Sequence, residues 1–350
     1  MLNRIQGYNE IQQYIISPDG ERFLSYIIFV CILVLIIMVI YYTVTIIGLE
    51  TSECKNMDKL YPNLLGSIHS INTNDTKNSG KLLDYYIKTA YNACSGGSYK
   101  NDFVDICNLK SILKEGVRCL DFALYSIHDN PVVATSTTNS YYVKETFNYV
   151  AFADVMKTIK DYAFATGTAP NSKDPIILHL RLQSNNRKMY SALTQILQGY
   201  DNIMLGKEYS YESNGNNLGE SSLISFMGKI ILIIDKNDKS VLAHDELLEY
   251  INLTSNSSYM RVYRYSDFKN NSDTNELINF NKYGMTIILP DEDTNPSNPD
   301  PDLCRESGCQ MVAMRYQYND AYLKKDTTFF NDCSQAFCNK PGDLIEASKS

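Results

Sequence analysis

No charged residue occurs between Phe23 and Leu49, and the stretch LSYIIFVCILVLIIMVIYYTVTIIG within it is almost wholly apolar. About 20 apolar residues cross the hydrocarbon core of a bilayer, so this run predicts one transmembrane helix with a little length left for tilt. Tyr26, Tyr41 and Tyr42 suit interfacial positions near its ends. A cleaved signal peptide is the competing reading. Against it stand a long polar leader (residues 1–22), an apolar run longer than a signal h-region, and the lack of a small-x-small cleavage pattern. An uncleaved signal anchor over 23–49 is therefore expected.

Some 300 of the 350 residues follow the anchor, room for one large domain or two small ones. The formal charge is -8 with a pI near 5.1, and the basic residues are scattered. That balance argues against a nucleic-acid partner and against electrostatic docking to anionic lipid. Cys31 lies in the apolar run, and eight cysteines follow it: Cys54, Cys94, Cys107, Cys119, Cys304, Cys309, Cys333 and Cys338. The Cys-x4-Cys spacings of the last four are not zinc-knuckle spacing, and no histidine lies near them. Disulfides are expected among those four, with Cys94–Cys107 a further candidate. Sequons at Asn74, Asn252, Asn256 and Asn270 all lie C-terminal to the anchor. Flanking Lys and Arg do not set the orientation; cysteines and sequons favour a lumenal or exterior C-terminal domain.

Residues 50–83 are polar and turn-rich and read as a stalk or an entry segment. Beyond them, short strand-like runs alternate with helical ones, which predicts an α/β fold of the TIM-type (β/α)8 kind, roughly 250 residues long. The run DPIILHLRLQ (174–183) sits between two helical segments, yet Leu178, Leu180 and Leu182 alternate with His179, Arg181 and Gln183. In a barrel the leucines pack on helices and the polar residues face the axis, with Arg181 and Gln183 nearest the mouth. For His179 a satisfied core network is the alternative to chemistry.

At these residues the chain resembles the catalytic barrel of the phosphoinositide-specific phospholipase C family. GVRCLDFALY (116–125) is similar to the family's G-C-R-C-[LV]-E-[LI]-D strand, and NPVVATS (130–136) to its E-P-[IV]-[IV]-Y-H-G turn. FADVMKTIKDYAF (152–164) and DPIILHL (174–180) resemble the helix and strand that follow. GKIILIIDKN (228–237), GCQMVAMRYQ (308–317) and KPGDL (340–344) resemble patterns of the second half. The resemblance implies a PLC-like barrel over 84–344, with an X-like half at 84–205, a short linker at 206–224, a Y-like half at 225–344, and a tail at 345–350.

The family's enzymes attack a phosphodiester with the inositol 2-hydroxyl, using two histidines and a calcium ion held by Asn, Glu, Asp and Glu. Carried over by position, the resemblance places Asn92 at the first histidine and Ala93 at the calcium-binding asparagine. Asp121 and Ala123 stand at the Glu and Asp of E-L-D, Thr135 at the second histidine, and Arg181 at the last glutamate. The ring-phosphate lysines fall on Ile233 and Asp235. This implies no intact catalytic residue, a lost calcium site and no cofactor. Removing calcium from a carboxylate cluster leaves repulsion, which a guanidinium relieves. An Asp121–Arg181 ion pair in the calcium position, extended by Gln183, is therefore expected. His128, before Pro131, is the one histidine offered as a substitute near the mouth.

The leading expectation is a membrane-anchored, catalytically inactive PLC-like barrel that binds a phospholipid headgroup, a glycan or a protein, or serves a structural role. The Asn-, Ile- and Tyr-heavy composition suggests an AT-rich genome, and an anchored, stripped-down barrel would suit a virion-membrane or cell-surface protein. The alternative is an active phosphodiesterase acting on phosphatidylinositol lipids through a non-standard pair such as His128 with Asp121. A third reading is an inert spacer.

Overall fold

The computed structural model describes residues 17–138, 143–210, 217–235 and 239–346. Most of the expected N-terminal tail, the middle of the linker and the last four residues lie outside them. The chain divides into two units, Met1–Thr51 and Ser52–Ser350.

The first helix, α1, runs from Pro18 to Leu60. Its start is encoded locally: the Ser17 hydroxyl accepts from Gly20 N–H at 3.1 Å, Pro18 takes the first position, and Asp19 and Glu21 lie in the first turn. Thr43, Thr45 and Thr51 return their hydroxyls to the carbonyls four residues earlier, so these polar groups are satisfied within the helix. α1 is long and apolar enough to cross a membrane. It outruns the expected span because nothing in TSECKNMDKL breaks a helix.

Of the two readings of residues 50–83, stalk or entry segment, the packing agrees with the entry segment. Met57, Ile68 and Ile71 are buried, and the Tyr61 hydroxyl donates to Tyr316 O at 2.7 Å. Apolar residues spaced among polar ones carried this signal.

In chain order the remaining elements are β1 (Tyr85–Ala90), α2 (Ile106–Lys114), β2 (Cys119–Ile127), β3 (Asn130–Ala134), β4 (Val150–Ala151) and α3 (Phe152–Thr158). Next come β5 (Ile176–Gln183), α4 (Arg187–Gln198), β6 (Ile230–Asp235), α5 (Asp245–Leu248), β7 (Leu253–Ser255) and β8 (Met260–Arg264). The chain continues through α6 (Tyr265–Lys269), α7 (Thr274–Phe280), β9 (Met285–Leu289), α8 (Pro301–Glu306), β10 (Met311–Met314), α9 (Ala321–Cys333) and β11 (Phe337–Asn339). Eight strands pair in parallel in the order β7-β6-β5-β2-β1-β10-β9-β8, a nearly closed TIM-type barrel. β3 pairs antiparallel with β2 as a hairpin, and β11 antiparallel with β1. Only residues 256–259 join β7 to β8, too few for the crossover that a parallel ladder needs, so the barrel stays open there.

Strand alternation divides the core into two. Ile87, Ile177, Ile231, Ile287 and Met311 fill the barrel, while Leu120, Phe122, Leu178, Leu180 and Leu232 pack with helix residues such as Leu109, Val155 and Leu193. Burying a large aliphatic side chain contributes about 1.5–3 kcal/mol, and these two layers dominate the stability.

The disulfides correct one expectation. Cys107 pairs with Cys54, not with Cys94, because the end of α1 brings Cys54 within a Cα–Cα distance of 5.7 Å of Cys107 on α2. Cys94 is a free thiol buried in the outer core, and burial raises its pKa. Cys333 pairs with Cys338, whereas Cys304 and Cys309 are free and buried in the same apolar layer. A second correction concerns Asn252. Its side chain accepts from Leu232 N–H at 2.8 Å and donates to Tyr209 O at 3.3 Å, so this sequon is buried. Asn74, Asn256 and Asn270 are exposed.

Candidate functional site

β2 and β5 are neighbours, and their register brings the expected residues together. Asp121 lies opposite His179, Ala123 opposite Arg181, and Tyr125 opposite Gln183. Their odd-numbered residues face the barrel axis. Ala123 offers only a methyl group across from Arg181, which leaves room for the long side chain to lean back over Asp121.

It does so. Arg181 Nε donates to both Asp121 oxygens at 3.2 and 3.0 Å, and Nη2 donates to Oδ1 at 2.8 Å. Nη2 also donates to Asn92 Oδ1 at 2.5 Å. His179 Nδ1 meets Asp121 Oδ2 at 2.7 Å. A carboxylate can only accept, so Nδ1 carries the proton there; Nε2 meets the Ser255 hydroxyl at 3.0 Å. Asp121 and His179 are fully buried and Arg181 nearly so. Burial alone would raise the Asp121 pKa, but the Arg181 charge and the His179 hydrogen bond outweigh it and hold the carboxyl below its ordinary range. Arg181 is raised in turn: burial opposes its charge, and Asp121 more than compensates.

Above the pair lies a layer that the sequence reading did not single out. Arg181 sits over the Tyr91 ring at 4.7 Å, and the Arg264 guanidinium donates to the Tyr91 hydroxyl at 3.0 Å. Tyr91 packs edge-on against Tyr99 at 5.4 Å, and Arg315 donates to the Tyr99 hydroxyl at 3.0 Å and to the carbonyl of Pro296. The signal was present: Arg264 ends β8 and Arg315 follows β10, so both stand at C-terminal strand ends, where a barrel builds its mouth.

Of the other expected residues, Asn92 and Ala93 reach Asp121 and the rest lie apart. Asn92, with φ at 45°, gives its N–H to Asp121 Oδ1 at 3.3 Å, and Ala93 N–H donates to Asp121 O at 3.1 Å. Thr135 donates to Tyr99 O at 3.1 Å and does not touch the pair. Gln183 does not extend the ion pair, contrary to expectation; its Oε1 is buried and has no hydrogen-bond partner among the described residues, and His179 and Asn92 extend the network instead. Gln183 stands one alternation beyond Arg181, opposite the bulky Tyr125. His128 is exposed on the tight β2–β3 turn, with φ at 49°. At about 3.3 Å per strand residue, the seven steps from Asp121 carry it roughly 20 Å away. The hairpin geometry therefore does not bring His128 to Asp121. Ile233 is buried inside the barrel, and Asp235 accepts the Asn256 amide at 2.8 Å.

Calcium takes about six to eight oxygen ligands at roughly 2.3–2.6 Å. Of the four positions that the resemblance assigns to calcium, only Asp121 holds a carboxylate, and both its oxygens are engaged by Arg181 and His179. Ala93 and Ala123 offer no side-chain oxygen, and Arg181 brings a positive charge. These residues do not fit calcium.

A family profile described as phosphatidylinositol-specific phospholipase C, X domain, matches residues 79–236, and the corresponding Y-domain profile matches 239–342. No curated protein matches the chain. Among solved structures, PLC21 of L. pealei superposes with a TM-score of 0.62 at 18% identity over 76% of this chain and 38% of that one. PLC21 of S. officinalis gives 0.63 at 18% identity over 78% and 38%. The chain thus spans well under half the length of these two proteins. With both halves of the barrel matched in order, the chain belongs to the phosphatidylinositol-specific phospholipase C family.

Proposed function

We propose that this chain is a membrane-anchored phospholipase C-like barrel that does not hydrolyse phosphodiesters and acts by binding or as a structural component. One observation carries the reading: the Arg181 guanidinium is bonded to both oxygens of Asp121, where the resemblance puts calcium. General acid–base transfer supplies roughly 10²- to 10⁴-fold in rate, and electrostatic stabilisation is usually the larger contribution. Asn92 and Thr135, at the two histidine positions, can carry neither proton role. The His179–Asp121 contact favours residual acid–base chemistry, but His179 is fully buried and both its nitrogens are engaged.

Two disulfides C-terminal to the apolar run support placing the barrel on the lumenal or exterior side, since such bonds persist in oxidising compartments. The test is incubation of the full chain in mixed micelles with phosphatidylinositol or its bisphosphate, with calcium or with chelator. No release of inositol phosphates is expected; calcium-dependent release would overturn the reading.

A further inference from the structure

Glu53 lies near the C-terminal end of α1, in the unit that holds the barrel, and the neighbouring Cys54–Cys107 disulfide ties it to α2. It is 4% exposed and meets Asp102, 7% exposed, in the loop that follows β1. The two carboxyls converge on one donor: Phe103 N–H lies 3.4 Å from Glu53 Oε1 and 3.1 Å from Asp102 Oδ1. A Cβ at Gly97 would clash with Asp102 Oδ2 and stand 2.8 Å from Glu53 Oε1, so a glycine is what lets the loop lie on the pair. Among the described residues, Glu53 Oε2 meets no N–H or hydroxyl donor, and no basic side chain pairs with either carboxyl. From the loop, Lys100 is bonded to Glu145 at 2.8 Å; from the segment beside it, Lys144 is bonded to Thr146 O at 2.6 Å. On α2, Asp105 caps Cys107 N–H at 2.7 Å, Lys110 lies over Tyr162, and Lys114 faces Asp58 of α1. Lys55 is exposed, and Arg315 meets the loop at Gly97 O, 3.4 Å away.

Two adjoining carboxyls away from water do not both ionise, and the hydrogen bond between them needs a proton on one of the two. Burial first, and then that hydrogen bond, raise Glu53 to about 9. Asp102 also braces its own loop: Oδ2 accepts from Ser98 N–H at 2.8 Å, and its carbonyl accepts from Phe147 N–H at 2.8 Å. The loop reaches the mouth through Gly97 O, which accepts from Gln317 at 3.1 Å, and through Tyr99 N–H, which donates to Thr294 O at 3.0 Å. Losing the shared proton sets two negative charges beneath Gly97. The disulfide holds the Glu53 side, so the loop is the part that yields. We propose that Glu53 and Asp102 form a proton-operated latch on the mouth loop 95–103, tight in acid and loosening as pH rises. Because the folded value lies above the ordinary 4.5, the stabilisation is complete below about pH 4.5 and is lost as pH rises to about 9. The latch works in the same way whether or not the mouth binds or hydrolyses anything.

The test is hydrogen exchange read by mass spectrometry on the full chain in non-ionic detergent, between about pH 5.5 and 8, with each rate corrected for its intrinsic pH dependence. Release of one proton on opening predicts that peptides covering Ser98 and Phe103 lose protection about tenfold per pH unit, while those covering Leu178 and Leu180 on β5 do not. Glu53→Gln and Asp102→Asn each supply an amide N–H that bonds the remaining carboxylate at any pH. Both are expected to keep the loop protected across the range, and either one suffices if the other fails to fold. A loop whose protection does not change with pH in the wild type would overturn the proposal. So would the same slope in a folded variant, or an equal loosening of β5, which would mean that the whole barrel rather than the loop responds.

Discussion

Arg181 leans diagonally across the β2–β5 ladder, past Ala123, and closes its Nε and Nη2 onto the two oxygens of Asp121 at 2.8–3.2 Å. That single contact fixes the polarity of the mouth. It also makes each partner dependent on the other, because neither charge has water to turn to.

Breaking the pair from one side should therefore cost more than removing both charges. Asp121→Asn and Arg181→Met are each expected to destabilise the barrel by about 3–5 kcal/mol, and Asp121→Leu with Arg181→Met by clearly less than their sum. Denaturant titrations of the three variants measure this. Single losses below about 1 kcal/mol would mean that the pair is not closed in solution.

Two buried carboxyls with pKa shifts of opposite sign contribute to the pH dependence. Asp121 lies below its ordinary 3.8 when folded, so its stabilisation is present above about pH 4 and is lost as pH falls further. Asp174 is raised by burial to about 6, opposed by the Arg118 charge, so its ionisation weakens the fold as pH rises from about 4 to 6. Stability measured across pH 2–7 should show a shallower acid limb in Asp121→Asn and a shallower decline between pH 4 and 6 in Asp174→Asn.

Restoring the family's ligands should restore the ion. Ala93→Asn, Asp121→Glu, Ala123→Asp and Arg181→Glu together are expected to bind terbium or calcium, read by sensitised luminescence. Arg181→Glu alone should not, with two carboxylates and no other side-chain ligand. Tight binding by the wild type at this position would contradict the premise.

The two disulfides should differ in weight. Cys54–Cys107 closes a loop of sequence separation 53 and Cys333–Cys338 one of 5. Chain entropy gives about 4 and about 2 kcal/mol for loops of those sizes. Paired Cys→Ala variants compared by denaturation test the order.

Sequon use should follow exposure. If the barrel matures in a glycosylating compartment, Asn74, Asn256 and Asn270 are expected to accept glycans and the buried Asn252 none. Mass spectrometry after enzymatic deglycosylation reads each site. Occupancy at Asn252 alone would contradict the ordering.

The barrel was legible because alternation in IILHLRLQ and CLDFALY fixes which residues face the axis, and barrel geometry follows from repeated β–α units. The Asp121–Arg181 contact was legible for the same reason, since both sit on inward positions of strands expected to be neighbours. The satisfied core network expected for His179 was legible too, but its partners were not, because a register of Asp121 against His179 cannot be read from either strand alone. Nor was the packing of Tyr91, Tyr99, Arg264 and Arg315, which joins elements far apart in sequence. The Cys54–Cys107 bond was missed because α1 continues past its apolar run, and composition alone marked that boundary.

The most direct measurement is a crystal structure of the barrel grown in millimolar calcium, with anomalous scattering used to locate any metal. The account predicts Arg181 closed on Asp121 with no metal peak beside it. A metal peak on Asp121, with the Arg181 side chain swung away, would contradict it.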